Sequence, residues 1–89
     1  LTVHSLAIKR TARMQRQSAD GETIRDIRKE KGLSQEVLSG LAGIARTHLT
    51  MIENGTMKAN IDTVSKIAQA LNLRPSELFA LVEQRQKRQ

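Results

Sequence analysis

The side chains of this 89-residue chain that could make or break bonds form no set that converges on a reaction. Cysteine is absent, which excludes a disulfide framework and a thiolate zinc site. His4 and His48 lie far apart with no ligand spacing, so neither a metal nor a cofactor is expected. No pair of acids and no nucleophile with a neighbouring base stands out, which argues against an enzyme. What does stand out is a cluster of side chains suited to contact. In AGIARTH, residues 42 to 48, the apolar pattern stalls at Ala42-Gly43 and resumes with Arg46, Thr47 and His48, three polar residues in succession.

The elements that must position them are helices. Aromatic residues are nearly absent, with one Phe and no Trp or Tyr, β-branched alternation is scarce, and helix stop signals recur, so the chain reads as all-α. Gly32, Gly43, Gly55 and Asn72 each follow a segment of helical apolar spacing and each tolerates the left-handed conformation just past a helix end. Four stops and a last apolar segment predict five short helices. The first runs from Gly21 to Lys31, with Asp20 as its candidate N-cap and Ile24 and Ile27 facing inward. The second is capped by Ser34 and buries Leu38 and Ala42. The third starts near Ala45 and buries Leu49 and Ile52. The fourth is capped by Asn60 and carries the strongest stripe: Ile61, Val64, Ile67, Ala68 and Leu71. Pro75, at a first-turn position with no amide to lose, opens the fifth, with Leu78, Phe79 and Val82 on its apolar side.

Length leaves room for one small domain plus tails. The formal charge of +6 is unevenly placed. Residues 1–19 carry Lys9, Arg10, Arg13 and Arg16 without an acid, residues 20–82 balance eight basic against eight acidic side chains, and the end carries Arg85, Lys87 and Arg88 against Glu83. The expected organisation is a basic arm at 1–19, a neutral domain at 20–83 and a basic tail at 84–89 that frays into solvent. Basic tails suit a polyanion but are equally common as solvated extensions. Apolar runs are too short to span a bilayer and no signal pattern opens the chain, so no membrane role and a cytoplasmic location are expected.

The segment GLSQEVLSGLAGIARTHLTMIENG, residues 32 to 55, closely resembles the helix-turn-helix of lambda-repressor-like, Xre-type regulators, above all in GLSQE and IENG. The resemblance extends from about Gly21 to Phe79, through IRDIRKEKG before the motif and IDTVSKIAQALNLRPSELF after it. It implies a five-helix DNA-binding domain whose third helix enters the major groove with its N-terminal residues on base edges. Arg46, Thr47, His48 and Met51 then face the bases. Arginine can fork onto guanine O6 and N7, and threonine or methionine can touch a thymine methyl. For His48, a base or phosphate donor and an incidental surface histidine stay equally open. Gln35 and Asn54 match phosphate contacts of the family, with Thr56 and Lys58 adding a hydroxyl and a charge. Arg28 and Glu53 match a buried ion pair that ties the first helix to the recognition helix.

Some positions depart from the family pattern. Val37 and Leu41 replace outward polar residues and predict an exposed apolar patch on the second helix, covered by the arm, a partner or nothing. Gly40 stands where some relatives carry an acid that contacts RNA polymerase. Ala45 and Arg74 stand where a hydroxyl cap is usual, at a cost of roughly 1 kcal/mol or less each.

The function these features imply is a sequence-specific transcriptional regulator of double-stranded DNA. It would be a repressor acting by occupancy, since one small domain leaves no room for a ligand pocket. Relatives bind partly palindromic operators as homodimers with recognition helices about 34 Å apart. Leu73, Leu78, Phe79, Leu81 and Val82 are the expected dimer surface, unless they only close the monomer core. The alternatives are an antitoxin, with a toxin protein as partner, and a controller of restriction-modification genes.

Overall fold

The structure, a computed structural model, describes residues 20–88; the arm at 1–19 and residue 89 lie outside the described residues. The described residues form five helices and no strand. Helix α1 includes residues 20–30, α2 is Gln35–Ala42, α3 Arg46–Asn54, α4 Ile61–Ala70 and α5 Pro75–Arg88.

Gly32, Gly43, Gly55 and Asn72 all take positive φ, at the four stops expected. The helices before them close in one way, the amide of the residue after each of these four bonding back five residues: Leu33 to Arg28, Ile44 to Ser39, Thr56 to Met51 and Leu73 to Ala68. This is the Schellman closure, which satisfies carbonyls left over at a helix end. At three of the ends the bonding residue is apolar, and Leu33, Ile44 and Leu73 pack against the core. The fourth, Thr56 after α3, is polar and exposed.

Helix starts are equally local. Ser34 Oγ accepts from Val37 N at 3.0 Å and Asn60 Oδ1 from Thr63 N at 2.8 Å, as expected of N-caps. Asp20 is not a cap, because it already lies in helical backbone. Ala45 caps α3 with no side-chain bond. At α5 the missing hydroxyl of Arg74 is offset from the other side, since Glu77 Oε1 reaches back to Arg74 N at 2.8 Å, half of a capping box.

The core is Ile24, Leu38, Ala42, Leu49, Ile52, Ile67, Ala68, Leu71 and Leu78. Helix α2 packs on α3 and α4, and α4 on α5. Truncating a fully buried leucine such as Leu38 or Leu49 removes contacts worth about 2 to 5 kcal/mol.

Two expectations about faces and one about the tail need correction. Ile61 is 78% exposed, because the packed stripe of α4 begins only at Thr63 and Val64. Phe79 is 47% exposed, standing one helical step off the face that buries Leu78 and Val82. The tail does not fray from residue 84: α5 continues to Arg88, and Arg85 pairs with Asp26 of α1.

Candidate nucleic-acid interface

Gly43 decides where α3 can begin. At φ 70° it turns the chain out of α2, and Ile44, bonded back to Ser39 O at 3.0 Å, packs against the core beneath the turn. Helix α3 therefore starts at the surface. Its first residues, Arg46 and Thr47, are exposed and His48 is half-buried, while Leu49, Ile52 and Glu53 face inward. Met51 is half-buried and Asn54 exposed at the far end. Arg46, Thr47, Met51 and Asn54 follow helical spacing along one outer strip, so the four share a face that a groove could meet.

Glu53 ties this helix to its neighbours. Its carboxylate receives Arg28 through two bonds, Nε to Oε2 at 2.8 Å and Nη2 to Oε1 at 3.0 Å, and both residues are buried. Arg28 spends a third donor on Leu33 O at 2.8 Å. The expected ion pair is present as a two-pronged, buried one, the geometry in which guanidinium and carboxylate match.

The sequence did not reveal that Gln35 joins the pair. Its Nε2 donates to Glu53 Oε1 at 2.9 Å, and its Oε1 accepts from Thr50 Oγ1 at 2.9 Å. Thr50 also reaches Arg46 O at 3.0 Å, so one hydroxyl proton is shared between two acceptors. Nothing local to Gln35 signals these contacts, since Thr50 and Glu53 are 15 and 18 residues away. Gln35 opens α2, where first-turn amides lack intrahelical acceptors and suit an anion.

Thr56 and Lys58 are exposed in the loop after α3, and the Thr56 hydroxyl donates to Met51 O at 3.1 Å. Candidate phosphate groups therefore stand on α2 and just past the far end of α3, either side of the helix that carries the candidate base contacts.

Nor does local spacing signal the role of Gly21. A Cβ there would lie 2.1 Å from Ile52 O, so α1 rests directly on the backbone of α3. Beside it opens a cavity of about 260 Å³, lined by Ile24, Ile52, Met57, Val64, Leu78 and Phe79. Its existence corrects the expectation that so small a domain has no room for one. Asp20 sits at this cavity, where burial pushes its carboxyl above the usual carboxylate range against the opposing charge of Lys58. The expected dimer surface divides here: Leu78 and Val82 are buried in the monomer and cannot present themselves to a partner, and Leu73 packs partly on the core. Leu81 is half-buried and Phe79 is the large exposed apolar residue of α5. On α2, Val37 (47% exposed) and Leu41 (62%) form the apolar patch expected.

A helix-turn-helix family model, HTH_3, matches residues 24–78, from the core of α1 to the core of α5. The chain belongs to this family. Among its relatives, the control protein C.BamHI of Bacillus amyloliquefaciens is 37% identical over 60 residues, covering 66% of this chain and 74% of that protein. The control protein C.MunI of a Mycoplasma species is 36% identical over 64 residues, 71% of this chain and 86% of the relative. The crystal structure of the restriction-modification controller protein C.AhdI from Aeromonas hydrophila superposes with a TM-score of 0.68 at 36% identity, over 71% of this chain and 96% of that one. Within this helix-turn-helix chain no described helix is long and apolar enough to cross a membrane.

Proposed function

We propose that this helix-turn-helix protein is a sequence-specific, DNA-binding transcriptional regulator that acts in the cytoplasm as a homodimer and represses by occupying a partly palindromic operator. The observation that carries the reading is α3 itself: its inner residues are locked by the core and by Glu53, while Arg46 and Thr47 stand free at its exposed N-terminal end. Arg46 reads a guanine through its two-pronged donor edge, Thr47 and Met51 contact thymine methyls, and His48 adds a donor to a base or phosphate. Gln35, Asn54, Thr56 and Lys58 hold phosphates and set the register. Among regulators, a controller of restriction-modification genes is favoured by the similarity to C.AhdI, which is described as a restriction-modification controller protein, and to two relatives described as control proteins.

Selection of binding sites from random duplex DNA, followed by gel-shift titration, tests the proposal. Arg46→Ala should relax preference at one base position and cost about 1 to 3 kcal/mol, whereas Gln35→Ala should weaken all sequences alike. An Arg46→Ala protein that keeps the full preferred sequence would show that another residue reads the bases.

A further inference from the structure

The side chain of Gln35 has only one orientation that fits its neighbours. Glu53, already engaged by Arg28, can only accept, so the amide nitrogen must face it; the amide oxygen must then face Thr50, whose hydroxyl donates. The nitrogen carries two hydrogens. Glu53 takes one, and among the described residues the other has no acceptor, on a side chain only half-buried at the start of α2. We propose that Thr50 is a positioning residue for DNA binding: its hydroxyl holds the Gln35 carboxamide so that this second N–H addresses a phosphate oxygen.

The Thr50 hydroxyl also donates to Arg46 O at 3.0 Å, at the start of α3. Thr50 thus links the phosphate-facing amide on α2 to the segment that carries the base-reading side chains on α3. Without the Thr50 hydroxyl the carboxamide would be tethered by the Glu53 bond alone and could swing about it, so the second N–H would meet a phosphate oxygen less often. The proposal rests on the DNA-binding reading above, so its test separates the two.

Thr50→Val removes the hydroxyl while keeping shape and β-branching, so its effect on helix propensity is small. On the selected operator it should weaken binding about threefold to tenfold, equally for preferred and mismatched sites. Thr50→Ser should restore wild-type affinity. Once Gln35 is already alanine, adding Thr50→Val should change nothing further. Without DNA, the two side-chain amide proton signals of Gln35 in a 15N-resolved spectrum should shift in Thr50→Val and return in Thr50→Ser. Wild-type affinity in Thr50→Val, a loss that persists in the Gln35→Ala background, or unmoved Gln35 signals would each overturn the assignment to Thr50. A wild-type protein that retains no sequence from random DNA would instead overturn the regulator reading, and the phosphate role with it.

Discussion

At the scale of single residues, Glu53 carries the heaviest load. Three donors, two from Arg28 and one from Gln35, converge on a carboxylate with almost no solvent contact. A buried pair of this kind adds little stability relative to a well-packed apolar pair, yet removal of one member strands the other charge away from water. Glu53→Leu should therefore lower unfolding stability by about 3 to 5 kcal/mol, read from urea denaturation. The double variant Arg28→Met/Glu53→Leu should regain most of that loss. A double variant as unstable as the single would mean that shape, not charge, is what the site requires. The cluster also gives a reason for an ionic group in so small a core: its bonds have direction, and through Gln35 they reach the surface proposed above to face DNA, which an apolar pair could not do.

At the scale of elements, contact between α1 and α3 depends on an absent side chain. With Gly21 touching the carbonyl of Ile52, Gly21→Ala should destabilise by about 1 to 3 kcal/mol through overpacking. That outweighs the roughly 1 kcal/mol that alanine gains over glycine inside a helix. Thermal unfolding checks it, and an unchanged or raised Tm would mean that α1 can shift aside without loss. Elements of this kind divide what is legible in a sequence from what is not. Ser34, Asn60 and the four residues of positive φ act through bonds to neighbours within a few positions, so their residue types announce them. The pairing of Arg28 with Glu53 was legible only through family resemblance. The contacts of Gln35 with Glu53 and Thr50, and of Gly21 with α3, arise where distant segments meet and leave no trace in local spacing. Ile61 and Phe79 misled because periodicity gives the direction of a side chain but not how far the core extends beneath it.

At the scale of the whole molecule, the described residues leave two apolar patches at the surface, apart from the lone Ile61. One is the Val37 and Leu41 patch on α2; the other surrounds the cavity, where Phe79 and Met57 are exposed at its wall. The second lies beside α1 and α5 and leaves the Arg46 to His48 strip free, as a two-fold dimer with both recognition helices on DNA requires. Phe79→Ser should weaken self-association about tenfold or more in sedimentation equilibrium, with little change in monomer folding because the ring is half exposed. A protein that sediments as a monomer at every concentration, with and without operator, would remove the dimer from the proposal. The four helix ends carry one more consequence. Three are pinned by an apolar residue driven into the core, whereas the end of α3 is held by Thr56, whose hydroxyl can exchange its carbonyl partner for water or a phosphate oxygen. The corner behind α3 is therefore the one of the four whose closing side chain stays in solvent, with a hydroxyl that can turn from the Met51 carbonyl to an outside acceptor while the backbone bonds of the corner stay made.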